Sequence, residues 1–373
     1  MKNLIILMID GGRSDVAIKS LFFNKIKEKS TFFSQSITYG PHTIAAMHAV
    51  FSGCYGIRTG TDSYWSTYNF KKNKFKTISE YLKDVGYYTC ADTVSKLTIP
   101  KQGFDEFNIH DEINDDLTLR HKSYLKRMKE KNENGQKFFL YLQYSNIHTG
   151  IMEQVLKVYN NFSEEFFKNI QQNEKRYDLL FKDAENYLEN ILTEITNLKL
   201  DSESIILIMS DHGISVGEKI GERAYGAFCY DYTLRTFAYF LGNDFPSKEI
   251  KHQVRTIDFM PTILDILNIP FDSKYEKIDG VSLIPLIKGE IVSEKIAFSE
   301  TGNPQKEKVP PKKPNIKSIR TSKWKLIWNE YNNTKEFYDL ENDPNEENNL
   351  TGKNFEDENI LWLELKKIND GHT

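Results

Sequence analysis

The sequence predicts an α/β fold built on a mainly parallel sheet, because three largely apolar runs each end in polar residues. These runs lie at 4–9, 138–145 and 204–210. Runs without polar–apolar alternation are typical of strands that helices cover on both faces. Helical spacing at 76–85 and along 151–198 supplies such covering helices.

Local patterns define the elements of the first half of the chain. The strand at 4–9 ends at the turn that begins with Asp10. The helix over 76–85 is expected to end at Gly86, because glycine commonly terminates helices, and a short strand follows at 87–92.

Two further helical segments are predicted in the second half. Residues 151–198 contain neither glycine nor proline and have an amphipathic pattern, which predicts one or two long helices. Residues 255–269 read as a loop leading into an amphipathic helix, with Pro261 in its first turn.

The composition changes near the C-terminus. Residues 303–316 are rich in Pro and Lys, which is typical of a linker or an exposed loop. The sequence therefore predicts a large α/β domain over 1–300 and a small α+β subdomain over 301–373. The subdomain is expected to hold an antiparallel sheet and a final helix, over 318–330, 335–342 and about 356–369.

Composition excludes several classes of protein. The 373 residues carry a formal charge of −4 with 27% charged residues, which argues against a general nucleic-acid binder and against a disordered chain. Cys54, Cys90 and Cys229 form no CxxC pair, so no disulfide scaffold or zinc ribbon is supported. No apolar run is long enough to span a bilayer, and we expect a cytoplasmic protein with free thiols.

Polar residues at the carboxyl ends of the three runs point to one shared site. Asp10 follows the first run, Asn146 and His148 follow the second, and Asp211-His212 follows the third. Open α/β sheets bind ligands at this edge, and two carboxylates with an imidazole suit a divalent cation. Taken singly, an Asp at a strand end is more often a helix cap or turn former.

A nucleophile is offered by the segment 40–53. Thr43 stands there before small residues and a helix-like apolar stretch. A hydroxyl at a helix N-terminus gains from the helix dipole, and the backbone amides there can hold an anion. The alternative is that Thr43 is a plain N-cap.

At this point the chain resembles the sulfatase branch of the alkaline phosphatase superfamily, nearly from end to end. Ordered blocks carry the resemblance: the first strand with DGGRSD (10–15), GFDEF (103–107), SDHGISVGE (210–218), CYDYTLRT (229–236), DFMPTILDIL (258–267), DGVSLIPLI (279–287) and KWKLIWNE (323–330) followed by EFYDLENDPNEENNL (336–350). The resemblance implies an alkaline-phosphatase-like three-layer sandwich with a large mixed, mostly parallel central sheet, plus a small C-terminal antiparallel sheet with a helix.

The departures from the sulfatase pattern concern the nucleophile and the metal ligands. Sulfatases carry Cys or Ser that becomes formylglycine, whereas Thr43 stands at that position. Ala46 and Met47 stand where Ser and Arg would be, and Gly11 replaces a second Asp. The set is more similar to that of one-metal, Thr-dependent phosphoglycerol transferases and phosphodiesterases of the superfamily.

The resemblance implies that one divalent ion, with Mn²⁺ or Mg²⁺ favoured and Ca²⁺ or Zn²⁺ possible, would be bound by Asp10, Thr43, Asp211 and His212. Thr43 would attack phosphorus and form a covalent intermediate. His148 would bind or protonate the leaving group, since imidazole titrates near neutral pH. Three residues are candidate substrate contacts: Arg223, Arg13 and Asn146.

The expected substrate is a small anionic ester or a glycan-linked one, with a phosphate mono- or diester favoured. Alternatives remain open: a sulfatase that works without formylglycine, a phosphoglycerol- or phosphoethanolamine-type transferase, and a non-catalytic relic. We expect no nucleic-acid partner and no membrane span, and the sequence does not define the oligomeric state.

Overall fold

The computed structural model describes residues 1–159, 164–304 and 311–371. The strands are β1 (Asn3–Ile9), β2 (Thr31–Ile37), β3 (Tyr88–Thr93), β4 (Glu106–Ile109), β5 (Phe138–Tyr144), β6 (Ser204–Ser210), β7 (Arg235–Leu241), β8 (Lys248–Ile250), β9 (Val254–Arg255), β10 (Ala297–Thr301), β11 (Ile316–Arg320), β12 (Trp324–Asn329) and β13 (Thr334–Asp339). The α-helices are α1 (Ser14–Lys19), α2 (Leu21–Lys27), α3 (Thr43–Ser52), α4 (Gly56–Thr59), α5 (Ile78–Asp84), α6 (Leu117–Glu133), α7 (Asn146–Gly150), α8 (Glu165–Lys168), α9 (Ile170–Asn197), α10 (Asp231–Leu234), α11 (Phe259–Ile266), α12 (Ile284–Lys288) and α13 (Glu356–Asn369).

The large sheet has nine strands in the order β4-β3-β5-β1-β6-β7-β2-β8, with β9 also paired to β2. All the described pairings are parallel except those that β7 makes with β6 and β2. The three apolar runs seen in the sequence become the neighbouring strands β5, β1 and β6, so the predicted mixed, mostly parallel sheet is confirmed.

Helices cover both faces of this sheet. Along β1, alternate side chains enter opposite cores: Ile5 and Leu7 pack in the core that includes α6 and α9, and Leu4 and Ile6 pack in the core that includes α3, α5 and α11. Every residue of β1 is buried. The result is a three-layer sandwich, which explains why β1 shows no polar alternation.

The predicted helical segment 151–198 is more broken than its composition suggests. A π-helical turn covers Ile151–Leu156, and α8 and the 28-residue α9 follow. Residues 160–163 lie outside the described residues. The long helix confirmed here is α9, whose apolar stripe packs on the sheet.

The small sheet is antiparallel with the order β10-β11-β12-β13, and α13 packs on it. The single strand expected over 318–330 is corrected to two, because a tight turn separates β11 from β12. In this turn the Thr321 amide donates to the Trp324 carbonyl at 2.8 Å. The edge strand β10 begins within the residues predicted for the large domain and ends at Thr301, the first residue predicted for the subdomain. Of the predicted Pro/Lys loop, residues 305–310 lie outside the described residues.

No helix within the described residues combines the length and the apolar character required to cross a membrane.

Candidate active site

Strand register brings the polar ends of β1 and β6 together. Ile9 pairs with Ser210 of β6 and with Tyr144 of β5, so the residue after each strand stands beside its neighbour. Asp10 and Asp211 therefore emerge side by side. The carboxyl end of β2, which is parallel to β1, leads through a short loop into α3 and delivers Thr43 to the same edge.

Four side chains meet at this edge, and we call them the carboxylate site: Asp10, Thr43, Asp211 and His212. The Thr43 Oγ1 lies 3.4 Å from both carboxylate oxygens of Asp10 and 3.4 Å from Nε2 of His212. That Nε2 lies 3.7 Å from Asp10 and 3.5 Å from Oδ2 of Asp211. Asp10, Asp211 and His212 are almost fully buried.

The donor set fits a divalent cation. The Asp211 Oδ1 accepts hydrogen bonds from the amides of Gly11 and His212, but its buried Oδ2 has no hydrogen-bond partner among the described residues. The Nδ1 of His212 lies 2.8 Å from the Gly213 carbonyl, which holds the proton there and leaves the Nε2 lone pair facing the carboxylates.

The electrostatics of the site favour the same conclusion. Burial, together with the negative charge of Asp10, raises the pKa of Asp211 above its usual value. Two buried carboxylates without a cation repel each other, so positive charge between them relieves a cost that folding imposes. Oxygen and imidazole ligands of this kind suit Mg²⁺, Mn²⁺ or Zn²⁺.

Thr43 is the first residue of α3 and not its N-cap. The cap is His42, whose Nδ1 accepts from the Ala45 amide at 3.4 Å. Burial lowers the pKa of His42 to about 3, and the nearby His212 and His48 act in the same direction. A neutral imidazole thus performs the capping, and the Thr43 hydroxyl is left to face the carboxylate site.

The backbone conformation and the close neighbours of Gly11 explain why no second Asp stands at this position. Its φ of +74° lies in the left-handed region, and a Cβ added there would lie 2.9 Å from the side chain of Ile214. Its amide donates to Asp211, and its carbonyl accepts from the Tyr177 hydroxyl at 2.9 Å. The Gly11 backbone thus holds the Asp211 carboxylate in place, whereas a carboxylate side chain at position 11 would be strained.

His148 is joined to the carboxylate site through a tyrosine. Its Nε2 lies 2.5 Å from the Tyr225 hydroxyl, and the Tyr225 ring packs on His212 with centroids 4.7 Å apart. Burial by itself would lower the pKa of His148, but the hydrogen bond to Glu112 and the charge of Asp10 outweigh it. The pKa is raised to about 9.

The three candidate substrate contacts each have other neighbours in the structure. Arg13 is buried in ion pairs with Asp15 and Glu218. Arg223 is 3.2 Å from Glu164 and lies over the ring of Phe167, with the guanidinium carbon 4.9 Å from the ring centroid. Asn146 lines a separate cleft that also includes Glu112, Thr149 and Asp183. Both arginines therefore have an acidic partner in the structure.

Gln143 is a site residue that sequence reasoning missed. It is fully buried in β5, and its amide nitrogen donates to Oδ2 of Asp10 at 2.7 Å. Its oxygen accepts from the Thr93 hydroxyl and from the Val94 amide. The only sequence signal was a polar residue inside an otherwise apolar strand.

A second buried cluster has a different character. Asp92, His110 and His121 lie close enough to hold an ion. However, both imidazoles already contact Asp92, at 3.0 and 2.9 Å, and Arg120 donates to the same carboxylate. The other ring nitrogens contact Ser145 and Tyr187. This hydrogen-bond network is complete without a cation.

The chain belongs to the sulfatase family: the model described as Sulfatase matches residues 2–269, more than two thirds of the chain. A second model, described as N-sulphoglucosamine sulphohydrolase, C-terminal, matches residues 228–370. No curated protein matches the chain.

Solved structures share the fold. BT4656, in complex with its substrate D-glucosamine-2-N,6-O-disulfate, is 17% identical with a TM-score of 0.76, covering 100% of this chain and 98% of that chain. BT1596, a 2-O GAG sulfatase, is 17% identical with a TM-score of 0.78, covering 100% and 91%. The phosphonate monoester hydrolase of Agrobacterium radiobacter is 12% identical with a TM-score of 0.76, covering 100% and 96%.

Proposed function

We propose that the protein is a metal-dependent phosphoric ester hydrolase that works through a covalent intermediate on Thr43. The observation that carries the proposal is the position of the Thr43 Oγ1, 3.4 Å from the Asp10 carboxylate and from Nε2 of His212. Asp10, Asp211, His212 and the Thr43 oxygen would hold one divalent cation. Such a cation would supply the charge that lowers the pKa of the Thr43 hydroxyl and draws the substrate anion.

Separate groups of the protein carry out the nucleophilic attack, the stabilisation of charge and the protonation of the leaving group. The Thr43 hydroxyl releases its proton to solvent, and its oxygen forms a bond to phosphorus as the bond from phosphorus to the ester oxygen breaks in line with it, giving a phosphothreonine. The positive end of the α3 helix dipole, where Thr43 stands, favours the negative charge of the phosphoryl oxygens. His148 is protonated at neutral pH, because its pKa is about 9, and gives its proton to the leaving oxygen. Water then releases phosphate from Thr43.

Threonine is the reason to favour phosphate over sulfate. Its side chain is not expected to yield the formylglycine aldehyde, and Ala46 and Met47 replace the residues that accompany it in sulfatases. The substrate is expected to be a small anionic ester or one linked to a glycan. The structural likeness to a phosphonate monoester hydrolase is consistent with this choice.

The test compares Thr43→Ala with Thr43→Ser on aryl phosphate, bis-aryl phosphate and aryl sulfate, with Mn²⁺ or Mg²⁺ supplied. We expect Thr43→Ala to lower kcat/KM on the best phosphate ester by at least about a thousandfold and Thr43→Ser to retain much of it. Mass spectrometry of quenched wild-type enzyme should show a phosphoryl group on Thr43. An unchanged rate in Thr43→Ala would remove the nucleophile from the proposal.

The second candidate function is a sulfatase that does not use formylglycine. The family membership and the likeness to a 2-O GAG sulfatase favour it. It predicts faster turnover of aryl sulfate than of either phosphate ester. The same assay therefore separates the two functions. Repeating it on metal-free protein without added Mn²⁺ or Mg²⁺ tests whether the reaction requires a cation.

A further inference from the structure

We propose that a cleft beside α3 binds a second anionic group on the sugar portion of the substrate. This inference rests on the proposed function, which makes the substrate an anionic ester. The cleft has a volume of about 530 Å³. We call it the lysine cleft, and the residues used here are His48, Tyr68, Phe70, Lys72, Lys96 and Lys101.

The charge of the lysine cleft is one-sided. Lys72, Lys96 and Lys101 line it, and no acidic residue does so within the described part of the chain. Nor does any of these three lysines form an ion pair among residues 1–159, 164–304 and 311–371. In a chain of net charge −4, such a concentration of unpaired positive charge favours an anionic occupant.

One residue that lines the cleft has a buried polar atom without a partner. His48 is only 2% exposed, and its Nδ1 has no hydrogen-bond partner among the described residues. Buried polar groups are nearly always hydrogen-bonded, so an unpaired ring nitrogen on a residue that lines a cleft favours a ligand that supplies the partner. Its ring stacks on Phe70, with centroids 5.6 Å apart and planes 28° apart, which fixes its orientation.

Two aromatic rings give the cleft an apolar surface beside its positive charge. Tyr68 is 86% exposed, and Phe70 adds a partly buried ring beside it. A large exposed aromatic side chain next to a charged cleft suits a ligand with an apolar face as well as an anionic group. A pyranose ring that carries a sulfate, phosphate or carboxylate has both features.

The position of the cleft separates its occupant from the ester being cleaved. His48 lies five residues after Thr43 on α3, a rise of about 7.5 Å and a rotation of roughly 140° from it. Lys96 follows Thr93, which hydrogen-bonds to Gln143 beside Asp10. The cleft thus lies on the β3 side of the carboxylate site, where it would hold a neighbouring group of the same substrate.

The test measures binding without turnover. Calorimetry at low ionic strength would compare a sulfated heparin tetrasaccharide with its desulfated, N-acetylated counterpart, on wild type and on Lys72→Gln/Lys101→Gln. We expect the double variant to bind the sulfated sugar roughly fivefold to tenfold more weakly. The matched control, Lys288→Gln/Lys353→Gln, removes the same charge from exposed lysines outside the cleft and should bind like wild type.

His48→Phe supplies an independent variant, because it keeps the ring stacked on Phe70 and removes the ring nitrogens. It should also weaken binding, with a melting temperature that verifies its fold. Equal affinity for the two sugars, or an equal loss in the control variant, would overturn the proposal. Because binding is measured directly, a failure of ester hydrolysis would count against the proposed function and not against the cleft.

Discussion

Gln143 shows how a single residue can orient a carboxylate of the proposed active site. It joins Asp10 to the end of β3, because its amide donates to Asp10 while its oxygen accepts from Thr93 and Val94. A neutral donor holds the Asp10 carboxylate in place without adding charge. It therefore acts on the site through Asp10 and is a positioning residue.

Gln143→Met should weaken Mn²⁺ affinity about 10- to 100-fold, because an unsupported Asp10 no longer faces the cation in one orientation. Calorimetric titration of the metal-free protein measures this directly. Thr93→Val is the matched control, since it removes a hydroxyl from the same network but leaves the contact between Gln143 and Asp10. Equal losses in the two variants would contradict the positioning role.

At the scale of elements, β10 is tied to the loop after β2 by a buried acid. Glu300 on β10 accepts a hydrogen bond from the Tyr39 hydroxyl, and that hydroxyl accepts from the Ile57 amide. Burial raises the pKa of Glu300 from 4.5 to about 7. The folded chain thus keeps a proton there that the unfolded chain releases near pH 4.5.

The raised pKa of Glu300 makes the stability of the contact between β10 and the loop after β2 depend on pH. The stability that it contributes is present below pH 4.5 and is lost as the pH rises to 7, since the folded state binds more protons over that window. Glu300→Gln should remove this loss, so its free energy of unfolding relative to wild type should rise by about 2 kcal/mol between pH 5.5 and pH 8.

Denaturant titrations at the two pH values check the prediction for Glu300→Gln. The exposed Glu341→Gln serves as the control and should show no such pH-dependent difference. A constant difference between Glu300→Gln and wild type would mean that Glu300 is ionised in the folded protein throughout this range.

At the scale of the whole molecule, a buried charge network joins the two sheets. Lys325 of β12 lies 2.8 Å from both Asp231 of α10 and Glu346 in the turn before α13. Arg320 of β11 adds a second cation on Asp231 at 2.9 Å. Because the partners come from both parts of the chain, we infer that the two sheets unfold together.

Lys325→Met should lower the free energy of unfolding by about 3–5 kcal/mol, because it leaves two buried carboxylates with too little positive charge. The control is Lys323→Met, two residues earlier, whose exposed ion pair with Glu341 is 3.8 Å long and should matter by less than about 1 kcal/mol. Calorimetry measures both and should show one transition in wild type. Two separated transitions would contradict the coupling of the sheets.

The sequence alone determined the parallel core and much of the carboxylate site. Apolar runs define β1, β5 and β6 locally, and parallel strands bring their carboxyl ends to one edge, so Asp10 and Asp211-His212 could be predicted to meet. Position in a recognisable segment singled out Thr43. These inferences succeed because they depend on local periodicity and on one rule of sheet geometry.

Only the tertiary structure decided how that site is completed. Gln143 on Asp10 and Tyr225 between His148 and His212 are contacts across distant segments, as is the pairing of Arg13 with Glu218. Such contacts depend on the direction of each side chain in three dimensions, which periodicity does not specify. The lysine cleft arises in the same way, because burial and unpaired charge exist only once the chain is packed.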